Sequence, residues 1–327
     1  MIKMRRLIQF IKDWTLPVSI VTGSFLYLVF VFIPALESAA TVFAPILDAT
    51  LPLFMFLVLY VTFCKVDFRK LIPVGWHLWI ALSQVLMVAV VIGVILTFHV
   101  MGETLILLEA LLTCIICPCA SAAAVVTQKL GGDLEEMTTY TFLSNFLCAL
   151  LIPVCFPLLD AGAGLTFWSA FVMILYKVCL VLVVPMLLAY ITKHWHALCR
   201  FYQWVISVDN LSYYLWACSL LIVSGTTVKN IVHAEVAVSF LLLIAVLALI
   251  LCLIQFVIGR YIGHFFRSTI NAGQALGQKN TAFAIWIAYT YLNPLSTVGP
   301  GCYILWQNII NSVEIWRHDH AIKRINE

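Results

Sequence analysis

"GQALGQKNTAFA", residues 273–284, decides how this chain is read. It holds two glycines, two glutamines, an asparagine and one lysine, Lys279, with apolar runs of helix length on either side. A full positive charge in that setting needs a physical reason, and the surrounding sequence narrows what the reason is.

Of the 327 residues, 64% are hydrophobic and 10% are charged, with a mean hydropathy of +1.06. A soluble domain of this size needs far more surface charge. The expected class is therefore an all-α polytopic membrane protein, a single membrane domain over 1–327. The apolar runs lack the two-residue alternation of a β-barrel. The opening "MIKMRRLIQFIKDW", 1–14, is basic but has no small-residue cleavage site, so it reads as a cytoplasmic leader into the first span. Eleven cysteines scattered through apolar segments read as small buried hydrophobes and not as a disulfide framework. No P-loop, HExxH motif or nucleophilic triad is present, so neither an enzyme nor a cofactor is expected. The expected partners are the bilayer and a small solute, with no nucleic acid.

Hydropathy divides the chain into spans near 14–36, 41–64, 76–98, 103–130, 134–158, 166–191, 205–228, 236–264, 268–293 and 295–316. Ten spans place both termini on one side. If that side is cytoplasmic, it holds Lys3, Arg5, Arg6, Lys12, Lys65, Arg69, Lys70, Lys129, Lys193, Arg200, Arg260, Arg267, Arg317, Lys323 and Arg324. Lys229 alone falls outside, while Lys177 and Lys279 lie within spans. The bias fits the positive-inside rule and the inner (plasma) membrane of a bacterium.

Spans four and nine are interrupted. Span four, "TLILLEALLTCIICPCASAAAVVTQKLGGD" (104–133), breaks at Pro118; span nine, "RSTINAGQALGQKNTAFAIWIAYTYLNP" (267–294), has its polar cluster in the middle. Proline denies one helix hydrogen bond and clashes with the preceding turn, and freed backbone at membrane depth must face protein or a watery cavity. Each is the fourth span of a five-span half. Five spans per half make 14–158 and 166–316 two inverted repeats, a pattern that points to the binding site of a secondary transporter. Polar stripes on span five (Thr138, Thr141, Ser144, Asn145) and span ten (Gln307, Asn308, Asn311, Ser312) belong against protein.

"GQALGQKNTAFAIWIA" followed by "NPLSTVGPGCYILWQNIINSVEIW" resembles the ninth and tenth helices of the bile acid:sodium symporter family. "CPCASAAAVVTQKLGGD", "TYTFLSNFLCALLIP" and "KVDFRKLIP" resemble its broken fourth helix, the fifth helix and the basic loop before the third. The resemblance implies a ten-helix fold in which a panel (spans one, two, six and seven) faces a core (three to five and eight to ten). Helices four and nine would cross in the core, and sodium entry would drive uptake of bile acids or other organic anions. It also places Ala275 where the family has a sodium-binding glutamate and Lys279 where it has a glutamine, with Gly277 and Asn280 matching. Ala123 and Ala124 fall on a serine–asparagine pair, and Met137 on a hydroxyl ligand. Thr141 keeps a hydroxyl, and Gln84 matches a glutamine of the third helix. Sodium coupling of the usual kind is therefore not expected.

A charged lysine at the bilayer centre costs roughly 2.5–3.5 kcal/mol on insertion scales. Losing an acidic ligand and gaining an ammonium in one pocket conserves its charge. Lys279 is thus expected to occupy the cation position and tie the crossing helices together, with protons as a candidate coupling ion. The blander expectation is a lysine paired to Asp48, Glu109 or Glu314. Lys177 either attracts an anion from the panel side or pairs with Asp48.

The candidate substrate and coupling site gathers Lys279, Asn280, Gln278, Gly277, Ala275, Thr141, Asn145, Gln84, Ala123, Ala124, Lys177 and Asn308, with no metal. The expected function is secondary transport of a small or amphipathic organic anion by alternating access. Alternatives are a metalloid exporter using Cys117 and Cys119, because thiolates bind soft ions, and a ligand sensor on the same fold.

Overall fold

The computed structural model describes residues 15–33, 37–159, 166–208, 211–233 and 236–326. The leader 1–14 and the side chain of Asp48 lie outside the described residues. Regular structure among them is helical, apart from one isolated bridge. The helices are α1 (Thr15–Phe32), α2 (Glu37–Cys64), α3 (Gly75–Thr97), α4 (Gly102–Ile116), α5 (Ala123–Lys129), α6 (Leu134–Leu159) and α7 (Phe167–Leu182). They continue as α8 (Val184–His194), α9 (Cys199–Ser207), α10 (Leu211–Val232), α11 (Val238–Phe265), α12 (Thr269–Gly277), α13 (Thr281–Tyr291) and α14 (Val298–Asn326).

Six helical stretches are long and apolar enough to cross a membrane by themselves: Pro45–Cys64, Gly75–Thr97, Leu134–Leu159, Phe167–His194, Leu211–Val232 and Val238–Phe265. The halves of expected spans four and nine fall short because each is broken in the middle, as α4/α5 and α12/α13. Three boundaries differ from expectation. Expected span six is two helices, because Pro185 cannot donate the hydrogen bond that would carry α7 into α8. Residues 205–207 do not open span seven; they end the separate short helix α9, and the span begins at Leu211. The last helix runs ten residues past 316, since its charged end continues the helix without the apolarity of a span.

The chain divides into two compact units. The first comprises residues 1–65 and 185–235. In it α10 packs on both α1 and α2. Gly23 makes the first of these contacts possible: a Cβ there would lie 2.0 Å from the Leu221 carbonyl oxygen, so only a bare backbone fits. The Tyr60 hydroxyl donates to Thr192 Oγ1 at 3.0 Å and ties α2 to α8.

The second unit comprises residues 66–184 and 236–327, so span six is shared between the units and not assigned whole to the panel group. On α3 the buried residues other than His77, which are Trp76, Ile80, Gln84, Val88, Ile92 and Ile95, recur every third or fourth position as one inward stripe. Gly259 and Gly263 of α11 bring its backbone against α12, where added Cβ atoms would meet main-chain atoms at 2.4 and 2.6 Å. The middle of the second broken helix is enclosed: residues 271–277 of α12 and 281–288 of α13 are all buried.

Candidate substrate and coupling site

The residue before a proline avoids the helical region, so Cys117 is extended (φ −70°, ψ 152°) and α4 stops at Ile116. Gln278 is likewise extended (φ −99°, ψ 104°), and the Asn280 side chain caps α13 by accepting from Phe283 N. The two extended links lie antiparallel and satisfy each other. Ala120 N donates to the Gln278 oxygen at 3.0 Å, and Asn280 N to the Pro118 oxygen at 2.9 Å, around a Cys119–Lys279 bridge. The backbone groups freed by the two breaks thus find partners without water.

Neighbouring helices supply the rest. Gln307 of α14 clasps Lys279 through both ends of its amide, accepting from the Lys279 N–H at 2.9 Å and donating to its carbonyl at 3.2 Å. Ser144 Oγ of α6 accepts from Cys119 N at 3.1 Å. The Tyr303 hydroxyl donates to the Gly277 oxygen at 2.8 Å and accepts from Gln255 Nε2 at 3.0 Å.

The Lys279 side chain is 1% exposed. Its Nζ donates to the carbonyl oxygens of Ile115 (3.1 Å) and Cys117 (3.4 Å). Gln84 Nε2 reaches the same row, at 3.0 Å from Ile115 O, 3.2 Å from Ile116 O and 3.1 Å from Cys117 O. The last carbonyls of a helix lack intrahelical donors and carry its negative dipole end. The ammonium therefore sits where the half-helix α4 is most electronegative.

Among the described residues no carboxylate pairs with Lys279. Of the acids expected as partners, Glu109 accepts from Ser296 Oγ at 2.7 Å and Asn293 N at 3.2 Å, while Glu314 pairs with Arg260. The buried polar atoms without a partner include Gln278 Oε1, at the crossing, and Asn145 Oδ1, next in sequence to Ser144 on α6. Thr141 spends its hydroxyl on the Met137 carbonyl of its own helix.

Ala123, Ala124, Met137 and Ala275 form an apolar knot, packing in one cluster with Trp76, Ile80 and Tyr140. Gly277 is pressed by the Phe256 ring, 2.4 Å from where a Cβ would stand. Two expected members are not brought to the crossing. Asn308 donates to the Ile304 oxygen of its own helix, and its neighbour Gln307 takes the inward place. Lys177 is exposed, with Nζ 5.7 Å from the centre of the Tyr291 ring. Tyr291 lies eleven residues along α13 from Asn280, about 16 Å at helical rise. Ser144, Gln307 and Tyr303 complete the site. The first two lie on the polar stripes of spans five and ten, but only the helix phase picks them out, and Tyr303 carries no sequence signal. Cys117 and Cys119 are buried, and no group of three His, Cys, Asp or Glu able to hold a metal occurs among the described residues.

Two interrupted helices meeting at Cys119 and Lys279, together with long apolar helices, mark a polytopic helical membrane protein. The sequence matches the SBF-like CPA transporter family (DUF4137) over residues 68–302, well over half of the chain. The chain belongs to that family, which is related to the bile acid:sodium symporters, and is an integral membrane protein of a transporter family. No curated protein matches it.

Proposed function

We propose that this protein is a secondary transporter of a small or amphipathic organic anion. Its ten spans form two inverted repeats with both ends cytoplasmic, and it works by alternating access. Lys279 serves as a built-in cation in place of bound sodium. The observation that carries this reading is the Lys279 ammonium on the carbonyls of Ile115 and Cys117, at the C-terminal end of a broken helix. Half-helix C-termini and unwound carbonyls are where transporters of this architecture hold coupling cations. The apolar packing of Ala123, Met137 and Ala275 supports it, because sodium is a hard ion that needs oxygen ligands and these side chains offer none. An anionic substrate approaching the crossing meets a charge already in place, with no ion to recruit.

Reconstituted protein should take up a labelled bile acid or simple carboxylate when choline replaces sodium, with or without an imposed proton gradient. Uptake that stops on sodium removal alone contradicts the reading. A proton gradient that accelerates uptake makes protons the coupling ion, and one without effect makes transport uncoupled.

A further inference from the structure

The segment between α8 and α10 is not a plain connection. Helix α9 is tied to the first unit by Val205, which is 1% exposed, and by Lys65 Nζ, which donates to the Val208 carbonyl at 3.2 Å. Beside Val205, on the same apolar side of the helix, large rings are uncovered. Phe201 (47% exposed) and Trp204 (58%) stack with ring centres 5.9 Å apart, and Trp195, just before the helix, is 61% exposed. A helix whose large aromatic rings are left outside needs an apolar medium against them. Nine residues are too few to cross a bilayer.

Charge surrounds this patch. Arg200 stands at the start of α9 and Lys65 at its end, about 12 Å apart along the helix axis. Residues 185–208 contain Lys193, Arg200 and two histidines but neither Asp nor Glu. Aromatic rings between cationic ends are the composition of a helix lying in the plane of a membrane interface, with rings in the acyl boundary and cations at headgroup level.

We infer that α9 is a binding element for anionic phospholipids. Arg200 and Lys65 hold headgroup phosphates, and Trp195, Phe201 and Trp204 seat the helix in the leaflet on the side where Lys and Arg collect. The site is independent of the substrate and coupling site.

The test uses full-length protein in a neutral detergent, titrated with phosphatidylglycerol or phosphatidylcholine while its melting temperature is followed. A lipid that binds only the folded state raises that temperature. Phosphatidylglycerol should raise it more than phosphatidylcholine, and the difference should shrink in high salt. Arg200→Gln should move the phosphatidylglycerol midpoint about fivefold upward, and Lys65→Gln by a similar factor. Arg317→Gln, a basic position on α14, should leave it in place. If Lys65→Gln fails to fold through loss of its bond to Val208, Arg200→Gln decides alone. Equal responses to the two lipids, or a phosphatidylglycerol response unchanged by Arg200→Gln, overturns the inference and leaves the aromatic patch to a second copy or another protein.

Discussion

The crossing around Lys279 and the α7–α13 face around Lys177 each place an ammonium among apolar helices, but by different means. Lys279 is enclosed and gripped by main-chain carbonyls that the break at Pro118 left over. Lys177 is exposed, resting over one aromatic ring with no carboxylate paired to it among the described residues. The first arrangement is built from both broken helices and cannot form without them. The second needs only a long flexible side chain that can carry its charge toward the end of a helix. A lysine held by helix ends is part of the architecture; a lysine over a ring is an accessory to it.

Substitutions can break or sharpen this contrast. Lys279→Met keeps most of the side-chain volume and removes the donor, so it should abolish uptake and lower stability by about 2–3 kcal/mol, the scale of hydrogen bonds to a charged group. Denaturant unfolding in detergent reads the second effect. Gln307→Leu deprives the Lys279 N–H of its acceptor and should cost about 1–2 kcal/mol, with uptake reduced through a loosened crossing. At Lys177 the expected stability change is smallest, no more than about 1 kcal/mol for an exposed cation–ring contact. Lys177→Met should instead raise the KM for the anion several-fold while leaving kcat near its original value. If it unfolds the protein as Lys279→Met does, the distinction between the two lysines is wrong.

The breaks in spans four and nine were legible because proline, glycine and clustered polar side chains each weaken a helix, and they coincide inside otherwise apolar runs. Lys279 stood out because a charge at that depth is costly and needs an answering group. Its partner was not legible. Asp48, Glu109 and Glu314 were natural candidates for a charged lysine, but the amine is answered by backbone carbonyls, which every residue carries and no sequence marks. Gln307 and Asn308 are adjacent and alike in chemistry, and only the rotation of α14 says which faces Lys279. Helix α9 merged into span seven only at its last three residues, 205–207, because the apolar Val205 and Ile206 stand close before the apolar run that begins at Leu211. Its basic residues and missing acids were the available sign of a separate interfacial element.

The central claim is that the cation position is already filled. Its most direct test is the melting temperature of the purified protein in sodium, potassium and choline at constant ionic strength, since a bound ion stabilises only the state that binds it. The account predicts the same melting temperature in all three salts. A rise specific to sodium would mean that a sodium site survives beside Lys279, and would contradict the account.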